Sequence, residues 1–291
     1  MRAAATERGR PRAGAWPELA LVAPLAVFLL VFFATPLAVL VGVSFFVEPT
    51  MTTPGLRQYT RFLGDRLHLG ILTDTLVLGV KATAACLVLG YPLAWVTARA
   101  RPHLRVVLTF VVILPLLTSV VVRTFAWIVI LGRQGVLNKT LLALGLIDEP
   151  ARLLFSEPGV VLVLTQVQLP LMVLPLLTTF QRMDPNLADA SAALGAGRWR
   201  TFWKVIAPLS LPGVIAGAIL VYAACVTAFV TQTLIGGARL VWMPLFMYQQ
   251  ATGAQDWPFA AAAAILFMVA VLFVVFLLNV LARTRRAQIY A

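Results

Sequence analysis

Six stretches of the chain, 19–46, 69–97, 106–131, 159–180, 207–235 and 258–282, are almost continuously apolar, and the polar positions gather between them. Each is longer than the roughly 20 residues that a helix rising about 1.5 Å per residue needs to cross a ~30 Å hydrocarbon core. The pattern predicts an all-α, polytopic membrane protein with six transmembrane helices. The first stretch follows Arg2, Arg8, Arg10 and Arg12, as a secretion signal would. It is too long for a signal core of about 7–15 residues and contains Pro24 and Pro36, so it is read as a retained first span.

Composition supports this reading: 61% of the residues are hydrophobic and 12% charged, against about 25% charged in soluble domains. The net charge of +12 would suggest a nucleic-acid ligand in a soluble protein, but here the arginines lie between apolar blocks, and no nucleic-acid partner is expected. Their placement sets the orientation instead. With the N-terminus inside, fourteen Lys and Arg fall in inner segments, Arg99, Arg101, Arg105, Arg182, Arg198, Arg200, Lys204, Arg283, Arg285 and Arg286 joining the first four. Seven fall outside: Arg57, Arg61, Arg66, Arg133, Lys139, Arg152 and Arg239. Cytoplasmic loops retain positive charge, so both termini are predicted inside. The simplest organisation is a disordered cytoplasmic arm over 1–15 and one transmembrane domain over 16–291. Cys86 and Cys225 both fall inside apolar blocks and are read as packing residues.

The inner segment at about 182–206 is long enough to hold structure. Asp184 suits a helix N-cap, Pro185 the first helical position and Gly195 the position just past a helix end, which predicts a short helix over 185–194. Leu187, Ala190, Ser191 and Leu194 share one face of it, and Trp199, Phe202, Trp203 and Ile206 make a second stripe beside Arg198, Arg200 and Lys204. Periodicity alone fits equally a linker lying on the membrane surface.

Asp189-Ala190-Ser191, Gly195, and Val205, Ile206, Ala207 and Pro208 fall in register with the signature of binding-protein-dependent ABC importer permeases. That signature runs Glu-Ala-Ala, three residues, Gly, nine residues, Ile, any residue, Leu-Pro. Here Asp stands for Glu, Ser for the second Ala and Ala207 for Leu, while the glycine and proline are kept. The chain is further similar to permeases of the spermidine/putrescine type at VRTFAWIVILGRQGVLN (Val122–Asn138), Leu146–Pro150, Gly236-Gly237, and Gln249-Gln250 ahead of Asp256-Trp257-Pro258. The resemblance implies a MetI-like importer fold in the bacterial inner membrane. It further implies that 185–194 is a coupling helix docking on a separate ATPase dimer, which binds the ATP and Mg, and that an external solute-binding protein delivers the solute. It also implies a second permease, in a heterodimer rather than a homodimer. Asp184, Leu187, Asp189, Ala190, Ser191, Leu194, Gly195 and Pro208 carry that expectation. Polyamine permeases often place an acid just before Phe-Val-Thr in span five, where this chain has Thr227-Ala228. The solute class therefore stays open between polyamine and a neutral, zwitterionic or anionic compound.

Within the spans, Ser119, Arg123 and Trp127 form an i, i+4, i+8 stripe, Gln166 and Gln168 flank Pro170, and Thr227, Thr231 and Gln232 make a polar patch. These are candidates for a translocation path; for most, bonding between helices is the competing role. Arg123 and Lys81 have the alternative of snorkelling or of pairing with an outer-loop acid.

None of Lys81, Lys139 and Lys204 follows a glycine, so no phosphate-cradling GxxxxGK[ST] loop exists. His68 and His103 are placed in loops on opposite sides of the membrane, which gives no metal site, and no cofactor is expected on this chain. A non-enzymatic permease subunit is the reading that results. The alternative is a secondary transporter or channel that does not use ATP, which calls for inverted repeats or titratable groups near mid-membrane. A lipid-modifying enzyme would require an acidic or histidine constellation that is missing.

Overall fold

The structure, a computed structural model, describes residues 16–184 and 186–290, with side chains over 23–184, 186–187, 189–237 and 239–280. The arm expected at 1–15, and Pro185 as first residue of the short helix, lie outside the described residues. Six helices are long and apolar enough to cross a membrane: Ala23–Ser44, Arg66–Arg99, Val120–Ala143, Glu157–Gln181, Arg198–Val226 and Trp257–Val280. No strand occurs among the described residues. In chain order the elements are α1 (Trp16–Ser44), α2 (Arg57–Gly64), α3 (Arg66–Arg99), α4 (Pro102–Ile113), α5 (Val120–Leu131), α6 (Val136–Ala143) and α7 (Glu157–Gln181). There follow α8 (Asn186–Ala193), α9 (Arg198–Thr201), α10 (Ala207–Val226), α11 (Phe229–Gly236), α12 (Met243–Tyr248) and α13 (Trp257–Tyr290).

The core is a triad of α3, α7 and α10. Leu78, Ala82 and Cys86 of α3 meet Val160, Leu164 and Leu176 of α7 and Val221 and Cys225 of α10, all fully buried. Lipid tails are as apolar as these side chains, so close packing rather than water exclusion has to join the helices, and small residues permit it. A Cβ at Gly217 would sit 2.8 Å from the Met172 sulfur, and one at Gly79 would sit 2.4 Å from Val226 Cγ1 and 2.9 Å from the Tyr222 ring. The α3 and α7 helices run parallel: Lys81 pairs with Glu157 at their outer level, the Cys86 thiol donates to Thr165 O, and Trp95 packs edge-on to Phe180 at the inner end. A second cluster, Phe62, Met243, Phe246, Phe259 and Phe267, joins α2, α12 and α13.

Three sequence expectations are corrected. The third span, expected as one helix over 106–131, is broken: α4 tightens into a 3₁₀ turn, Leu114–Leu117, and the chain is extended at Thr118 before α5. Pro115 has no N–H to give the preceding turn, and its own carbonyl is taken up by the Thr118 hydroxyl at 3.0 Å. The fifth span, expected unbroken over 207–235, ends at Val226 and resumes at Phe229. The histidines are not in loops. His68 lies in the first turn of α3, buried against Phe62 at 5.5 Å and Phe259 at 5.1 Å, because the Asp65 carboxylate caps Leu67 N and starts the helix early. His103 lies in the first turn of α4, exposed, where Pro102 opens the helix.

Candidate functional site

Two regions hold the residues singled out in the sequence, one at the inner surface and one about halfway along the spans. At the inner surface α8 is a separate two-turn helix. The Asp184 carboxylate accepts the Asn186 N–H at 2.9 Å, which caps the N-terminus. The other end closes on Gly195 at φ 79°, with Gly195 N donating to Ala192 O and Ala196 N to Ser191 O. That pair of bonds is a Schellman stop, which needs a left-handed residue at the Gly195 position. Leu187, Asp189, Ala190 and Leu194 are exposed, Leu194 at 89%.

A hydrogen bond ties the helix to span five: the Ser191 hydroxyl lies 2.9 Å from that of Thr201. The Trp199–Ile206 stripe, expected as an interfacial helix leading into span five, is continuous with it. Between α9 and α10 the helix widens over Phe202–Ile206, where Ala207 N donates to Phe202 O. The widening falls just before Pro208, which cannot return a hydrogen bond to the preceding turn. Trp199 and Trp203 stay 76% and 65% exposed, as side chains at a membrane–water boundary do. One turn on, the Ser210 hydroxyl meets Tyr91 OH at 3.0 Å, joining the base of α10 to α3.

The second region lies where spans three and five are broken. A cavity of about 400 Å³ is lined by Arg123, Gln168, Thr227 and Thr231, with Val120 and Phe229 at the starts of the resumed helices. Gln168 is the twelfth of the 25 residues of α7, which puts the cavity near the middle of that span. Irregular backbone at membrane depth is tolerated where it lines a cavity and its free groups are satisfied. Here Arg123 Nη1 donates to Pro115 O at 2.6 Å, and Gln232 Nε2 donates to Cys225 O at 2.8 Å. Each long polar side chain thus adds a hydrogen bond to a carbonyl at one break, alongside the turn N–H groups of Thr118 and Ala228. Arg123 neither snorkels to the outer surface nor meets a carboxylate.

The remaining candidates fall elsewhere. Ser119 is the N-cap of α5, its carbonyl accepting the Arg123 N–H at 3.1 Å, and of the stripe Ser119, Arg123 and Trp127 only Arg123 borders the mid-depth cavity. Trp127 Nε1 donates to Gln166 Oε1 at 3.1 Å, and both line a different cleft with Lys81 and Glu157. Gln232 is 1% exposed and does not border the mid-depth cavity. Sequence reasoning missed the breaks themselves; for Lys81 it offered pairing with an outer-loop acid, which the structure bears out, without naming Glu157 as the partner. Pro115 followed by Thr118-Ser119 was the available signal for the first break; nothing local marked the ion pair, whose members are 76 positions apart.

The model of the family described as "Binding-protein-dependent transport system inner membrane component" matches residues 87–287. The spermidine/putrescine transport system permease protein PotB of Escherichia coli K12 is 37% identical over 245 residues, covering 82% of this chain and 88% of that protein. The molybdenum transport system permease protein ModB of Azotobacter vinelandii is 33% identical over 207 residues, covering 69% and 90%. Among solved structures, a bacterial ABC transporter involved in the import of the acidic polysaccharide alginate has a chain that superposes with a TM-score of 0.74. It is 18% identical and the overlap covers 93% of this chain and 96% of that one, a likeness of fold.

Proposed function

We propose, from the premise that this chain belongs to the family of binding-protein-dependent transport system inner membrane components, that it couples a separate ATPase to solute movement through α8. The chain is a permease subunit of an ATP-driven importer, multi-pass in the inner membrane, and ATP is hydrolysed by another component. The observation that carries the coupling role is the exposed, doubly capped α8 joined to span five by Ser191 and Thr201. In this reading an ATPase dimer grips α8, and its nucleotide-driven movement turns the stretch Arg198–Val226 as one body against α3 and α7. Such a transition is a rigid-body shift between two packed arrangements.

The solute passes through the cavity at the two breaks, with Arg123, Gln168, Thr227 and Thr231 on its wall. A second permease, different from this one, closes the path from the other side, and an external binding protein delivers the solute. Relatives named for spermidine and putrescine favour a polyamine or a related small compound. None of the residues lining the cavity is an acid, so recognition of a cation would fall to the binding protein or to the second permease.

The test is a gentle detergent pull-down of tagged protein from its own membranes, followed by uptake assays in vesicles. Co-purification of a P-loop ATPase, lost when Asp189 and Gly195 are substituted, is the expected result. A chain that comes out alone and still moves solute without ATP would return the reading to a secondary transporter.

A further inference from the structure

A third cavity, about 440 Å³, opens at the inner end of the bundle between the end of α3, the start of α4 and the base of the α8 loop. It lies within the roughly 300–1,000 Å³ range of small-molecule sites. Arg99 and Arg105 both line it, while Asp184, whose Oδ1 is occupied by the Asn186 N–H, is the one carboxylate there. Neither arginine has an acidic partner among the described residues, where the ion pairs of lysine and arginine are Arg61–Asp256 and Lys81–Glu157. The Arg99 guanidinium lies flat on Trp95, 3.1 Å from the ring centroid. Arg105 Nη2 donates to Ala98 O at 2.8 Å and to Ala100 O at 3.3 Å, which fixes the side chain. Two held cations thus share a cavity with a single acid among its lining residues, one of whose oxygens is turned to the start of α8.

The depth of the cavity matters as much as its charge. The α3 and α7 helices both end beside it, at Arg99 and Gln181, and Trp95 belongs to its wall. This is the level of the lipid headgroups on the side of the membrane where Lys and Arg collect. Basic pockets between helices at that level suit phosphate-bearing headgroups, and the inner leaflet is rich in anionic lipid. Leu187 of α8 is also part of the wall, so an occupant would touch the helix assigned to coupling.

We propose that this cavity binds a phosphate ester anion, presented as the headgroup of an anionic phospholipid of the inner leaflet, and that the bound lipid braces the base of α8. The site does not depend on the coupling role, and it is tested without measuring transport. The full chain, purified with its partner subunits, is placed in nanodiscs of phosphatidylcholine with or without phosphatidylglycerol. Hydrogen exchange of the backbone amides over 186–194 is followed, together with retained lipid by native mass spectrometry. Phosphatidylglycerol is expected to slow exchange in this segment and to be retained. Arg99→Gln should cut retention about fivefold, Arg105→Lys should keep most of it, and Arg101→Gln, an exposed neighbour outside the cavity, should leave it unchanged. Equal losses in the Arg99→Gln and Arg101→Gln variants would reduce the effect to general surface charge and overturn the site. Protection by inorganic phosphate in phosphatidylcholine alone would overturn the lipid as its source. A lack of any phosphatidylglycerol effect, with an ATPase side chain found in the cavity, would overturn it altogether.

Discussion

Gly195 and Asn138 show how single positions fix this structure for different reasons. Gly195 has open space around it, so a side chain there meets no obstacle; its φ of 79° is the constraint. A non-glycine residue in that region costs about 1–2 kcal/mol, a small fraction of the stability of a packed bundle but enough to reshape the end of α8. Gly195→Val is therefore expected to give a normally inserted chain that binds its ATPase poorly and loses most transport. ATP-driven uptake at wild-type rate in that variant would remove α8 from the coupling role. Asn138 is buried, and its side chain ties the loop between spans three and four together: Nδ2 donates to Gly132 O and Ala151 O, and Oδ1 accepts Ala151 N. At about 0.5–1.5 kcal/mol for each bond, Asn138→Ala is expected to cost roughly 2–4 kcal/mol. The measurement is the thermal midpoint in detergent, together with protease access to 132–151. Gly79→Leu tests packing at the triad, since Val226 and Tyr222 already occupy the space; overpacking of this kind costs about 1–3 kcal/mol, and an unchanged midpoint would refute the close approach of α3 and α10.

Elements here are set less by apolar length than by where the backbone runs out of hydrogen bonds. Span three has the composition of one helix, yet Pro115 leaves the chain a donor short, and the break is kept because Thr118 and Arg123 bind the Pro115 carbonyl. Span five breaks beside it, and Gln232 braces it by reaching Cys225 O and Val226 O. The sequence singled out Arg123 and Gln232 as polar residues in apolar spans, but without the breaks it had no means of separating a residue that supports backbone from one that faces the cavity. The difference can be tested. Gln168→Leu, on the cavity wall, is expected to lower transport at least tenfold while leaving stability within about 0.5 kcal/mol of wild type and the midpoint nearly unmoved, the usual range for a site away from core packing. Gln232→Leu is expected to lower the midpoint, because it removes a buried bond to Cys225 O and takes from Val226 O the side chain that reaches it. The same loss of stability in both variants would deny the distinction.

For the molecule as a whole, the core triad accounts for α3, α7 and α10 but leaves much apolar surface open. Over the most apolar 18-residue stretch of α1 no residue is buried, and Leu30, Phe32 and Phe33 are 66–73% exposed. Lipid covers some of this surface. A partner permease would cover more, and co-expression with the cognate second permease is expected to raise the thermal midpoint of this chain and slow its aggregation in detergent. An identical midpoint with and without the partner would argue against a stable pair.

Sequence by itself determined the number of spans, the inner side and the short helix before span five. Hydrophobic run length, the distribution of arginines and the Asp184 and Gly195 caps are local properties that no distant contact has to complete. Tertiary structure alone decided which face each polar residue takes. Gln166 and Gln168 are two positions apart on one helix, yet the first meets Trp127 and the second the mid-depth cavity, because α7 is wedged between different neighbours on its two sides. For Lys81 an outer-loop acid was one expected partner, but only the parallel run of α3 and α7 decided that it is Glu157. Pairings of that kind depend on which helices touch and at what height, and in a chain whose spans are nearly uniform in hydrophobicity the sequence leaves that height unmarked.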